Sequence, residues 1–297
     1  MKRSVGAAAW TAVLVLAATG CGSSGAPEGA AGGPADTSAP ATRSTGAPTA
    51  SPAASAAASG WSRARLLAAI DKHRGTTRTA RPTESAGRVG ALFAHGTDGD
   101  HFCTASVVDS PGRNLVLTAA HCLVEPRTGR THDDLVFVPG YRDGDTPSGV
   151  WPIDRVTVDP SWRHGGNEDM DVAFATVGPQ DGRQVQDVLD GNRLGTDLGP
   201  TLPVRVTGYP SSSEQPITCV NTTTGQSPTQ LRIDCPDYTG GTSGSPWVTG
   251  FDPGTRTGTV VGVIGGYQEG GDTADTSYSS YFGEQVRALY QQAADGS

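Results

Sequence analysis

From about residue 87 onward the chain alternates short apolar runs with clusters of Gly, Pro, Asp and Ser. Apolar runs of about four to eight residues between turn formers read as β-strands rather than helices. The pattern predicts strands over 89–94, 104–109, 115–119, 135–139, 153–159, 172–177, 204–208, 217–220, 231–234, 246–249 and 259–264. Short strands at this spacing, with no helical periodicity between them, indicate an antiparallel barrel or sandwich. One helical stretch, 283–294, closes the chain, and no internal repeat is visible. Upstream, Trp61, Leu66, Leu67 and Ile70 share one stripe of a short helix, which either packs on the domain or belongs to a removable pro-segment.

The N-terminal texture is different. Residues 22–60 are almost wholly Ala, Gly, Ser, Thr and Pro. Such a segment buries too little apolar surface to offset its ordering entropy, and reads as a flexible tether or a tail without a role. Before it, Lys2 and Arg3 precede an apolar run from Val5 to Ala18, followed by Thr19, Gly20 and Cys21. A basic start, a short apolar core and small residues make a secretory signal peptide. The run falls short of the ~20 residues that a membrane-spanning helix needs. The stretch from Leu16 to Cys21 resembles the bacterial lipobox, although Ala18 stands where Leu is usual. That resemblance implies that Cys21 becomes the lipidated first residue of the mature protein. The expected plan is therefore 1–20 signal, 21–60 tether, 61–84 helical or pro-segment, and 85–297 folded domain.

Cysteine parity agrees with this plan. Five cysteines are an odd number for an exported chain, and lipidation of Cys21 leaves Cys103, Cys122, Cys219 and Cys235. Four cysteines in an oxidising compartment read as two disulfides. No C-x-x-C pair supports a zinc or thioredoxin-like site. The formal charge of −8 argues against nucleic acid or an anionic membrane surface as the main partner.

Three local motifs carry chemistry. A predicted strand ends at Leu117-Thr118-Ala119-Ala120-His121-Cys122, and Asp169-Met170-Asp171-Val172-Ala173-Phe174 opens another with a carboxylate. The third, Gly240-Gly241-Thr242-Ser243-Gly244-Ser245-Pro246-Trp247, sets a serine in a glycine-rich turn. Taken singly, these are a strand-end histidine, a turn aspartate and a hairpin loop. Together they are the parts that serine-based acyl transfer needs. A hydroxyl is a weak nucleophile and requires an adjacent imidazole base. A buried carboxylate must hold that imidazole in the right tautomer. Glycines beside the serine let main-chain N–H groups approach a developing oxyanion.

The order His, Asp, Ser within T-A-A-H-C, D-x-A-F and G-G-T-S-G-S-P closely resembles the chymotrypsin-like serine proteases. It is most similar to the secreted bacterial trypsin-like and glutamyl-endopeptidase-like branches. The similarity runs from roughly Gly87 to the C-terminal helix. It implies an all-β fold of two six-stranded antiparallel β-barrels with a C-terminal helix, the site lying in the cleft between them. By resemblance, Ser243 is the nucleophile, His121 the general base and then acid, and Asp171 the orienting carboxylate. The N–H groups of Gly241 and Ser243 would form the oxyanion hole. Asp169 competes for the acid role, but only Asp171 directly precedes the Val-Ala-Phe strand. The family pairing of Cys103 with Cys122 is expected, and a second local disulfide between Cys219 and Cys235. An α/β-hydrolase would run in the order Ser, acid, His, and is excluded.

Two positions depart from the family pattern. Thr242 stands where the pancreatic-type enzymes keep an aspartate for the newly cut N-terminus, so activation would not use that salt bridge. Gly265 and Gly266 stand where many members have a serine and an aromatic, in a segment expected to pair with the substrate backbone. Asp237, six residues before Ser243, occupies the place of the trypsin-like specificity carboxylate; the alternative is a solvated turn aspartate after Pro236. The expected activity is that of an exported serine endopeptidase acting on protein or peptide substrates, with cleavage after basic residues as one outcome of the Asp237 placement. It is expected to be a monomer, held at the extracellular face of the cell membrane through a lipid on Cys21 or secreted, with neither metal nor organic cofactor. An esterase using the same residues, or a silent binding module on this scaffold, are the rival readings.

Overall fold

The register between two strands decides where the chemistry sits. β4 (Leu115–Thr118) pairs antiparallel with β7 (Ala173–Val177), with Leu117 opposite Phe174 and Thr118 opposite Ala173. Both strands are buried along their full length, which is why they read as unbroken apolar runs. The chain leaving β4 reaches His121 beside the chain that enters β7 through Asp171 and Val172.

These two strands belong to a closed six-stranded barrel. Its other members are β2 (Val89–His95), β3 (His101–Val107), β5 (Asp133–Pro139) and β6 (Trp151–Val158), in the cyclic order β2-β3-β4-β7-β6-β5. Leu92, Val107, Phe137, Trp151 and Ala175 fill its interior. In this computed structural model the described residues are 74–82, 85–95 and 101–296, all within the compact unit 60–297. The signal segment, Cys21, the tether and the apolar stripe at 61–70 lie outside them.

The second half is built from two sheets. The larger runs β1-β10-β9-β13-β14-β8: β1 (Thr76–Thr79), β10 (Ile217–Thr222), β9 (Pro203–Gly208), β13 (Pro246–Asp252), β14 (Thr257–Val263) and β8 (Arg193–Leu194). Its pairings are antiparallel except β14–β8, which is parallel. The smaller sheet has β12 (Gln230–Ile233) between β11 (Thr224–Ser227) and β15 (Ser277–Ser280). Val206, Leu231, Ile233, Trp247 and Val261 pack between them.

All eleven predicted strands are present. β1, β8, β11 and β15 were not predicted: Thr-Thr-Arg-Thr, Arg-Leu, Thr-Gly-Gln-Ser and Ser-Tyr-Ser-Ser carry no apolar alternation and form because neighbours offer hydrogen-bonding edges. β1 falls within the 61–84 stretch read as helical or removable. There Thr76–Thr79 extends the sheet along β10, and Gly75 and Ala80 donate to Asp234 and Pro216; the helical stripe at 61–70 lies outside the described residues.

Two short helices interrupt the strands. α1 (Pro160–Gly165) is capped by Asp159, whose carboxylate accepts from Ser161 N–H at 2.8 Å, and ends at Gly166 in the left-handed region. It inserts the buried Trp162, whose indole N–H donates to Val124 O at 3.0 Å. α2 (Val185–Leu189) covers the barrel through buried Val185. The predicted C-terminal helix is α3 (Glu284–Asp295). Its Val286, Leu289 and Ala293 form one stripe packed on Phe174, Leu117 and Val260, so it lies directly behind the β4–β7 pair.

Candidate active site

Asp171 is fully buried and accepts three N–H donors. Its Oδ1 takes the His121 main-chain N–H at 2.9 Å, and its Oδ2 lies 2.8 Å from His121 Nδ1 and accepts the Gly266 N–H at 2.9 Å. A carboxylate so placed stays an acceptor, which assigns the proton to Nδ1 in neutral His121 and leaves Nε2 as the free basic nitrogen. Burial by itself pushes the His121 imidazolium down. The charge and hydrogen bond of Asp171, with a smaller pull from Glu269, outweigh burial and hold His121 above its ordinary 6.5. Asp169 is not part of this contact; its carboxylate accepts from Gln230 Nε2 at 2.8 Å.

Ser243 is half-buried in the turn that enters β13. Its carbonyl accepts Thr104 N–H at 2.7 Å, and Gly244 N–H donates to Ile264 O at 2.7 Å, tying the turn to β3 on one side and to the end of β14 on the other. Gly244 has φ of +81°, and a Cβ there would lie 2.0 Å from Thr104 O and 2.1 Å from Thr118 Oγ1. Glycine alone lets the serine turn close onto the end of β4, three residues before His121. Gly241 is likewise at positive φ. Among the described residues neither the Gly241 nor the Ser243 N–H has a hydrogen-bond partner.

Two disulfides frame the region. Cys103–Cys122 joins β3 to the residue after His121, and Cys219–Cys235 joins β10 to the segment leading to Ser243. The only cluster of potential metal ligands among the described residues is Cys103, His121 and Cys122, and two of its three members are this disulfide, which offers no thiolate.

A cavity of about 270 Å³ adjoins Ser243, lined by residues 238–240, 242, 243, 264, 269–274 and 277. Asp237 does not reach it. That residue is exposed and left-handed, with φ of +70°, as suits a turn former, and the cavity's carboxylates are Glu269 and Asp272. Thr242 is buried and hydrogen-bonds back to Thr239 O at 2.7 Å.

Gly265 and Gly266 have roles the sequence pattern did not indicate. A Cβ on Gly265 would lie 3.0 Å from Asp171 Oδ2 and 3.1 Å from Ala119 Cβ, so the strand end rests directly on the buried carboxylate. Gly265 N–H donates to Tyr278 O, and Gly266 N–H serves Asp171 while its carbonyl accepts from Glu269. Gly266 thus spends its main-chain groups inside the protein instead of pairing with substrate, because φ of 78° and ψ of −130° turn its N–H towards Asp171. The Gly265 carbonyl accepts no hydrogen bond among the described residues.

Residues 76–281 match the Trypsin family model. Among solved structures, the chain is similar to the protease Anisep from Arthrobacter nicotinovorans at 27% identity and a TM-score of 0.66, over 74% of this chain and 99% of that one. It is also similar to a thermostable serine protease, AL20, from an extremophilic microorganism, at 25% identity and a TM-score of 0.65, over 71% and 99% of the two chains. A Glu endopeptidase shares the fold at 14% identity and a TM-score of 0.61, over 75% and 97%. Searching the curated proteins returns no match.

Proposed function

The chain belongs to the trypsin family of proteases, and from that premise we propose that it is an exported serine endopeptidase using Ser243, His121 and Asp171. The observation that carries the proposal is the buried His121–Asp171 pair, 2.8 Å apart, which leaves Nε2 as the free base. In the reaction Ser243 Oγ attacks the peptide carbonyl carbon and its proton passes to His121 Nε2. The tetrahedral oxyanion accepts from the Gly241 and Ser243 N–H groups, a role supported by their having no partner among the described residues. Imidazolium returns the proton to the leaving amine, giving the acyl-enzyme. Water then enters by the same steps in reverse and releases the acid. Asp171 does not take the proton; it holds the tautomer and stabilises the cation.

Substrate binds with its backbone along the end of β14, where the Gly265 carbonyl is available to a substrate N–H, and with a side chain in the cavity beside Ser243. Glu269 and Asp272 in its lining disfavour an acidic side chain there. Export and lipid anchoring through Cys21 are supported by the sequence of the first 21 residues and by two disulfides, which persist in oxidising compartments.

A fluorophosphonate probe tests the chemistry. Wild type is expected to be labelled and Ser243→Ala is not. A folded wild type that resists the probe would sink the proposal. Peptides with Lys, Leu or Glu before the scissile bond then read the cavity, and Glu is expected to be worst.

A further inference from the structure

Gln230, on β12, is a buried side chain whose amide makes all its hydrogen bonds to the two segments that flank Asp171. Its Nε2 donates to Glu168 O at 3.1 Å and to Asp169 Oδ1 at 2.8 Å. Its Oε1 accepts the Tyr267 N–H at 3.1 Å. The first two partners lie in the 3-10 turn Glu168–Met170, which delivers Asp171; the third follows Gly266, whose N–H donates to Asp171 Oδ2. The amide orientation is fixed by these partners, since an oxygen facing two acceptors and a nitrogen facing an N–H would lose all three bonds. A Cβ on Gly266 would lie 2.4 Å from Gln230 Oε1, so the amide packs directly against the glycine. Ser280 Oγ, opposite Gln230 on β15, adds a bond to the same Glu168 carbonyl at 3.1 Å.

A buried amide with three of its bonding positions used in this way is costly unless each is satisfied, and here each satisfied bond fixes one side of the carboxylate's cradle. We propose that Gln230 is a positioning residue for the triad: it clamps the turn before Asp171 to the turn after Gly265, and so aims the Gly266 N–H and the Asp171 carboxylate at each other and at His121. The inference rests on Asp171 being the triad acid. Gln230 touches neither His121 nor Ser243 and acts only through Asp171.

The test uses the full chain and Gln230→Met, which keeps side-chain length and removes the hydrogen bonds. Gln230→Glu is the second variant, since it keeps an acceptor for Tyr267 and loses both donors. Active sites are counted by fluorophosphonate labelling carried to completion, and kcat is expressed per labelled site. Both variants are expected to lose about ten- to a hundredfold in kcat with KM held within about twofold, as misplacement of a catalytic group does. A wild-type kcat per labelled site, with losses confined to melting temperature or to the labelled fraction, overturns the proposal, as does failure of both variants to fold. If wild type itself goes unlabelled at Ser243, the underlying triad reading fails first and separately.

Discussion

Replacing Asp171 by Asn changes one atom, and the geometry makes that change severe. Three N–H groups converge on the two carboxylate oxygens, from the His121 main chain, His121 Nδ1 and the Gly266 main chain. An amide offers one oxygen, so in either orientation its NH₂ confronts at least one buried N–H. With nitrogen at the Oδ2 position, the amide donates to Nδ1, His121 flips to the Nε2–H tautomer, and the base is lost while Gly266 N–H goes unpaired. With nitrogen at the Oδ1 position, the His121 main-chain N–H is unpaired and the imidazolium has no counter-charge. Either way one buried donor is orphaned, costing about 1–3 kcal/mol of stability. The loss in kcat should be about 10⁴-fold, about 5 kcal/mol of transition-state stabilisation, as wrong-tautomer variants of such triads show. The assay is kcat per fluorophosphonate-reactive site on a peptide anilide, with Asp169→Asn measured beside it. An NMR titration should show the His121 imidazole moving down from its wild-type position, because burial is then no longer outweighed. An Asp171→Asn enzyme keeping more than about a tenth of wild-type kcat, or an equal loss in Asp169→Asn, would refute the assignment.

Glu269→Gln should move the acid limb of kcat/KM to lower pH, because the carboxylate helps hold His121 protonated and its removal frees Nε2 earlier in the titration. Since Glu269 is exposed, the difference should shrink in high salt; a limb that does not move, or moves up, contradicts the coupling. The raised His121 also sets a stability trend: protonation adds stability below its ordinary 6.5, and that contribution is lost as pH rises through the folded value, which unfolding of wild type and His121→Ala across this range can measure. Truncation through Ala80 should destabilise rather than activate, since it removes the Gly75–Asp234, Ala80–Pro216 and Thr77–Pro236 hydrogen bonds beyond the β1 ladder. At about 1 kcal/mol each this lowers Tm by roughly 6–12 °C, and an unchanged Tm would show that the strand is dispensable.

The strand content, the helix α3 and the sequence order of His121, Asp171 and Ser243 were all legible in the chain, because each is encoded locally. Buried strands such as β4 and β7 announce themselves as apolar runs between turn formers, and α3 repeats its apolar residues at helical spacing. The local pattern at Asp171, immediately before Val172, also picks it over Asp169, and the register of Thr118 against Ala173 brings that same residue beside His121. Short polar strands were not legible, since Thr76–Thr79 and Ser277–Ser280 are extended only because a neighbour supplies a ladder. Nor was the environment of the site. Asp237 and Glu269 are both acidic residues in loops, and only the folded chain turns one to solvent and sets the other in the cavity beside Ser243. Gly266 and Gln230 lie 95 and 62 or 61 residues from the partners that matter, Asp171, Glu168 and Asp169. Local periodicity carries information over a few residues, whereas three donors meeting on one carboxylate is a property of chain segments that become neighbours only when both halves of the domain have packed.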